Sequence, residues 1–153
     1  MKISVLSVGK MKDPGLRALS EIYRERLSHH LPVEDLEVGK EKRGTPAKVV
    51  GQEGEALLGA VAPGALVIAM TEEGKNLSSV EVAEKMQEWM VEGRQEVAFL
   101  IGGAHGLSRE VKRASDMKWS LSAMTFPHDV ARMLLWEQLY RAMTIIRGEP
   151  YHK

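Results

Sequence analysis

The chain of 153 residues contains no cysteine. That excludes a disulfide framework, a thiol nucleophile, a Cys-ligated zinc and an iron–sulfur cluster. It also lacks net charge, with 21 Lys plus Arg against 21 Asp plus Glu. A neutral protein does not coat nucleic acid electrostatically, although specific RNA binding stays open. Long apolar runs are missing too. The longest, Val61 to Met70, contains Pro63 and Gly64 and falls far short of the ~20 residues that cross a bilayer. At the start, Lys2 precedes only six mostly apolar residues, Ile3 to Val8, with no small-residue cleavage site after them. The pattern is not that of a signal peptide, so a soluble, cytoplasmic protein with no membrane partner is expected. No internal repeat, low-complexity tract or Pro/Ser-rich linker divides the chain, and a single domain over 1–153 is expected.

What is present is ordinary globular composition, 44% hydrophobic and 27% charged. Five short apolar runs alternate with five helical patterns. The strands are expected at Ile3–Val8, Leu31–Val38, Ala65–Met70, Val97–Ile101 and Lys118–Ser122. Asp13-Pro14 and Thr45-Pro46 each offer a cap followed by a proline at the first helical position. They open helices to about His30 and Val61. Ser78 or Ser79 caps a third helix to about Glu92, and Ser108 a short fourth to about Asp116. Pro127 introduces a long last helix to about Arg147, stopped by Gly148 and Pro150. This alternation predicts an α/β fold with a mostly parallel sheet flanked by helices.

Charge is uneven beneath the zero sum. Residues 1–48 carry ten basic and seven acidic side chains, residues 49–97 three and nine, and residues 98–153 eight and five. The segments are therefore +3, −6 and +3. Either these are solvated helix faces, or both ends of the chain build one basic surface. The Lys40, Lys42, Arg43, Lys48 group reads as a loop whose functional use would be phosphate contact.

Four segments could carry chemistry. Gly102-Gly103-Ala104-His105-Gly106 follows a buried strand and precedes a Ser-capped helix. It is either a tight turn or a place where a ligand approaches the backbone closely. It is not G-x-G-x-x-G, and the first strand ends in a single Gly9, which argues against a dinucleotide fold. No G-x-x-x-x-G-K-[ST] and no metal-ligand spacing such as H-E-x-x-H occurs, so neither a P-loop nor a metal site is expected. The run Trp119 to His128 is dense in small and hydroxyl residues at a strand exit. Backbone groups of Leu121 to Phe126 there could hydrogen-bond an adenine edge. In the last helix, 12 of the 17 residues from Val130 to Ile146 are apolar or aromatic. That demands burial on more than one face, which a symmetric dimer or a central position would supply. Glu137 and Arg141 are spaced to pair on this helix. Finally, the tail Pro150-Tyr151-His152-Lys153 holds a ring that can stack on a base, a proton acceptor and a cation.

The runs Phe99 to Leu107, Trp119 to His128, Glu137 to Ala142 and Pro150 to Lys153 stand in the order found in the ribosomal large-subunit RNA methyltransferase H family, a minimal branch of the SPOUT class, which the whole chain resembles. The resemblance implies a sheet with a C-terminal trefoil knot, a homodimer through the C-terminal helix, and S-adenosylmethionine as cofactor. It implies methyl transfer to N3 of a pseudouridine in helix 69 of 23S rRNA within the ribosome. Carried over residue by residue, the cofactor contacts are Met70, Gly102, Leu121, Ser122, Ala123, Met124, Thr125 and Phe126. Met70 stands where many relatives have leucine, and Ala104-His105 where relatives often have Pro-Glu. For catalysis, Tyr151 would stack on the target base and His152 aid its deprotonation. Arg132 and Arg141 would hold phosphate or developing negative charge. A related enzyme acting on tRNA, or a non-catalytic ribosome-binding module, are the alternatives.

Overall fold

Side chains that alternate along the central strands divide the apolar residues between two cores. The computed structural model describes residues 1–39 and 43–153. The elements are β1 (Lys2–Val8), α1 (Pro14–Ser28), β2 (Val33–Val38), α2 (Pro46–Ala60), β3 (Leu66–Asn76), α3 (Ser79–Val91), β4 (Glu96–Ile101), α4 (Arg109–Ala114), β5 (Met117–Ser120) and α5 (His128–Arg147). The strands form one five-stranded sheet in the order β2-β1-β4-β3-β5. All four strand pairings are parallel. Ile3 and Val5 of β1, Ile68 of β3 and Val97, Phe99 and Ile101 of β4 face one core, together with Leu27, Met86, Trp89, Leu135, Trp136 and Leu139 from α1, α3 and α5. Leu6, Val8, Val67, Ala69, Ala98 and Leu100 face the other, with Leu57 of α2 and Val111 of α4. Helices cover both faces, as an all-parallel sheet requires.

The helix ends follow the expected chemistry. Asp13, Thr45, Ser78 and Ser108 each accept a backbone N–H of their own first turn. Ser78 and Glu81 close a full capping box. Gly148 ends α5 at φ +68°, a conformation that favours glycine.

Three boundaries differ from the sequence reading. Glu72-Glu73-Gly74 is not the end of β3. The register against β5 slips between Met70 and Lys75, and the strand continues to Asn76. Glycine is required there because a Cβ on Gly74 would lie 2.6 Å from the backbone of Lys118 and Trp119. β5 stops at Ser120, where Ser120 Oγ donates to the Ser122 carbonyl (2.8 Å) and turns the chain out of the sheet. β2 starts at Val33, since Leu31 is a core residue at the end of the α1 turn. Lys40 and Lys42 of the basic group lie outside the described residues. No helix among the described residues is long and apolar enough to cross a membrane.

Part of the last helix's demand for burial is met inside the chain, and several of its apolar residues, Met133, Leu134 and Ile145 among them, keep some exposure. The helix packs against α1 and α3, and Leu135, Trp136, Leu139 and Ala142 are fully inaccessible. From Val130 to Ile146 every residue is at least half-buried.

Candidate functional site

β3, β4 and β5 are neighbours, so their C-terminal ends meet at one edge of the sheet. Ligands of open parallel sheets bind outside such ends. A crevice of about 810 Å³ lies there. That is room for a nucleoside-sized molecule. Met70, Gly102, Leu121, Ser122, Met124, Thr125 and Phe126, predicted from three separate stretches of sequence, all line it. Ala123 is exposed and does not.

The glycine loop forms one wall. Gly106 N–H donates to the Gly103 carbonyl (3.0 Å), closing a tight turn with Gly106 at φ +79°. The turn folds back so far that a Cβ on Gly102 would sit 2.5 Å from the Gly106 carbonyl. The loop after β5 forms the facing wall. Met124 N–H donates to Ser122 Oγ (3.0 Å), which fixes the small-residue run in a turn. Trp119 also lines the crevice, and its buried indole N–H has no partner among the described residues. This combination of apolar cover from Leu121 and Phe126, hydroxyl residues Ser122 and Thr125 and a glycine cradle fits a nucleoside cofactor.

Residues that the sequence reading missed complete the rim. Lys112 of α4 and Glu73 of β3 form an ion pair of 2.8 Å, and both line the crevice. The Lys112 ammonium holds the Glu73 carboxyl below the usual carboxylate range. His105 in the glycine loop and His128 at the start of α5, each within a segment singled out in the sequence, also line it. No spacing rule relates Lys112 to Glu73, 39 positions apart. Only the bulge in β3 brings them together.

The candidate catalytic residues lie elsewhere in the protomer. None of Arg132, Arg141, Tyr151 and His152 lines the crevice. The tail folds back on α5, where Tyr151 hydroxyl donates to Glu137 Oε1 (3.0 Å). The Tyr151 ring meets Tyr140 edge-on at 4.8 Å, and the Arg141 guanidinium sits 4.7 Å above it. Burial first, then hydrogen bonding with Tyr23 and Glu137, pushes the Tyr151 phenol well above its ordinary value. In this arrangement the ring packs between Tyr140 and Arg141. Arg141 pairs with Glu137 (2.6 Å), the predicted i,i+4 contact, and also reaches His152 Nδ1 (3.3 Å). A guanidinium only donates, so Nδ1 holds its lone pair towards Arg141.

Arg132 differs most from its expected role. Its side chain is 6% exposed and pairs with Asp35 (2.8 Å) and Glu37 (3.0 Å) of β2. A buried guanidinium with two carboxylates is an internal tie between α5 and the sheet. The sequence gives no sign of this because the partners lie 97 and 95 positions away.

Comparison with known proteins agrees with this architecture. A family model described as a predicted SPOUT methyltransferase matches residues 1–152. A protein of Carboxydothermus hydrogenoformans named ribosomal RNA large subunit methyltransferase H is 44% identical over the whole of both chains. One of the same name from Sorangium cellulosum is 46% identical over 99% of each. Among solved structures, a probable methyltransferase from Bordetella pertussis superposes with a TM-score of 0.59 at 16% identity, covering 92% of this chain and 95% of that one. A probable methylase family protein from Haemophilus influenzae gives 0.57 at 15% identity, covering 99% and 70%.

Proposed function

The chain belongs to the SPOUT methyltransferase family, and from that footing we propose that it methylates large-subunit ribosomal RNA, at N3 of a pseudouridine in helix 69 of 23S rRNA within the assembled ribosome. The observation that carries the reading is the crevice where three adjacent strand ends meet, cradled by Gly102 and covered by Leu121 and Phe126. S-adenosylmethionine fits this donor set. Met70, Gly102 and the Leu121–Phe126 stretch would hold it, and when bound it supplies an electrophilic methyl group. The chain acts as a single domain with the family's C-terminal knot, in the cytoplasm, where its substrate is made.

The protein's own task is to orient the base and remove its imide proton. Positioning of this kind lowers barriers by up to about 7–11 kcal/mol. Tyr151 and His152 are the candidates for base contact and proton acceptance, with Arg141 beside them to offset developing negative charge. Within one protomer they are badly placed. The crevice borders His128 and Ala131. Tyr151 is bonded to Glu137, nine residues further along α5 than His128, which is about 14 Å along a helix axis. A homodimer through α5, its two copies antiparallel, brings the tail of one copy to the crevice of the other. Leu19 and Ile22, exposed on α1 beside α5, supply apolar surface for that contact. Basic segments from both chains would then flank one site.

Removal of residues 150–153 is expected to lower methyl transfer to ribosomes by roughly a hundredfold or more, as loss of a group acting only in the transition state does. Cofactor affinity should stay near the wild-type level, because Met70, Gly102, Leu121 and Phe126, which line the crevice, are all retained. Calorimetry with S-adenosylmethionine and tritiated methyl incorporation measure the two quantities. An undiminished transfer rate would remove the tail from the mechanism. For the substrate, methyl incorporation is expected in intact ribosomes and not in tRNA. Mapping the methylated nucleotide checks the position, and incorporation into tRNA alone would establish the other RNA class. Absence of cofactor binding would leave a ribosome-binding module.

A further inference from the structure

We propose that Glu53 is a positioning residue for the glycine loop: α2 sets its carboxylate against Gly103 and so holds the Gly102–Leu107 turn in the shape that walls the crevice. The inference rests on reading that crevice as the cofactor site.

Glu53 is only 8% exposed, although it sits on a helix that borders solvent. A Cβ on Gly103 would lie 2.9 Å from both of its carboxylate oxygens. The carboxylate thus fills the space that only glycine leaves open at position 103. The next residue of α2 does the same at the far end of the loop. A methyl group on Gly54 would overlap the Ser108 hydroxyl and lie 3.2 Å from Val111. That hydroxyl caps α4 by accepting the Val111 N–H (3.2 Å). Two consecutive residues of α2 therefore seat both ends of the loop, by contacts too close for any larger side chain.

The anchor is polar where packing alone would favour an apolar side chain. Glu53 Oε2 is buried without a hydrogen-bond partner among the described residues. Such groups are rare and costly, and when retained they call for a specific cause. Burial pushes the Glu53 carboxyl above the usual carboxylate range, while the His105 and His128 rings and the Gly103 amide act the other way. Both histidines line the crevice, His105 within the loop and His128 at the start of α5.

The test compares Glu53→Ala, which removes the wedge, with Glu53→Gln, which keeps its size and removes its charge. KM for S-adenosylmethionine is expected to rise about tenfold in the alanine variant and less in the glutamine variant, with kcat at saturating cofactor within roughly twofold of wild type. Amide exchange in the cofactor-free protein gives a second readout. Exchange at Gly103 should quicken in both variants while Leu100, in the adjoining strand, keeps its protection. Wild-type cofactor affinity in the folded variants overturns the proposal. So does an equal quickening at Gly103 and Leu100, which would mean lost stability only. If the alanine variant does not fold, the glutamine variant decides by the same criteria. If the wild-type protein fails to bind cofactor, the reading of the crevice falls, and the Gly103 exchange still judges the anchor.

Discussion

Gly102→Ala is expected to abolish cofactor binding. The added methyl would stand 2.5 Å from the carbonyl carbon and oxygen of Gly106 and 2.9 Å from the Leu107 nitrogen. All three are backbone atoms, so no side-chain rotation relieves the overlap. The turn cannot simply open, because Gly106 N–H is bonded to the Gly103 carbonyl. Nor can β4 retreat, since Ile101 is paired with Ser7 of β1. The loop must move as a unit and distort the wall it forms. Overpacking of this kind costs about 1–3 kcal/mol of stability, which a domain of this size survives. Binding suffers more, because the wall itself is displaced. A loss of affinity of at least ~100-fold, about 2.8 kcal/mol, is expected. Titration calorimetry with S-adenosylmethionine measures it, and a thermal melt confirms that the variant is folded. A folded variant with unchanged affinity would show that the cofactor does not use this wall.

The second large effect concerns stability. Arg132→Ala should destabilise the protein by about 3–5 kcal/mol, the usual cost of leaving a buried charge without its partner. The side chain of Asp35 is 5% exposed and would lose its 2.8 Å contact. Arg24, at 3.1 Å on the other oxygen, compensates in part, so the lower end of that range applies. Urea denaturation reads the change as a shift in midpoint at constant slope. Replacing both partners by apolar residues, Arg132→Met with Asp35→Leu, should recover most of the loss, because no buried charge is then stranded. The single variant that remains folded should still methylate, since Arg132 does not line the crevice. A stable Arg132→Ala protein that binds RNA poorly would return this residue to the phosphate-binding role read from the sequence.

Both effects show where sequence reasoning holds. Gly102 is legible as a place of close backbone approach because a glycine pair directly after a buried apolar run has few other uses. The pairing of Arg132 with Asp35 and Glu37 is not legible, because an arginine on a helix carries no sign of its partner. The same contrast runs through the site. Leu121 to Phe126 stands out by its density of small and hydroxyl residues. Glu53 and Lys112 look like ordinary charges on helical faces, and only packing against Gly103 and Glu73 gives them a place. Glu72-Glu73-Gly74 reads as a turn by composition. It lies within a strand because β5 passes too close to Gly74 for any side chain.

Taken alone, the residue pattern determined the ten elements, their α/β alternation and two of the stretches that line the crevice, Gly102–Gly106 and Leu121–Phe126, while Met70 came from the family resemblance. The pattern is written in local periodicity, caps and turn residues, each acting over a few positions. The absence of cysteine likewise removes thiol chemistry whatever the fold. Tertiary structure alone decided the strand order β2-β1-β4-β3-β5, which sets three functional strand ends side by side. It also decided that α5 is covered by α1 and α3, that Arg132 is tied to β2, and that the tail lies away from the crevice of its own protomer. Contacts between residues 14 to 97 positions apart settle those outcomes. Their energies depend on shape and burial, which a pattern of residue types does not encode.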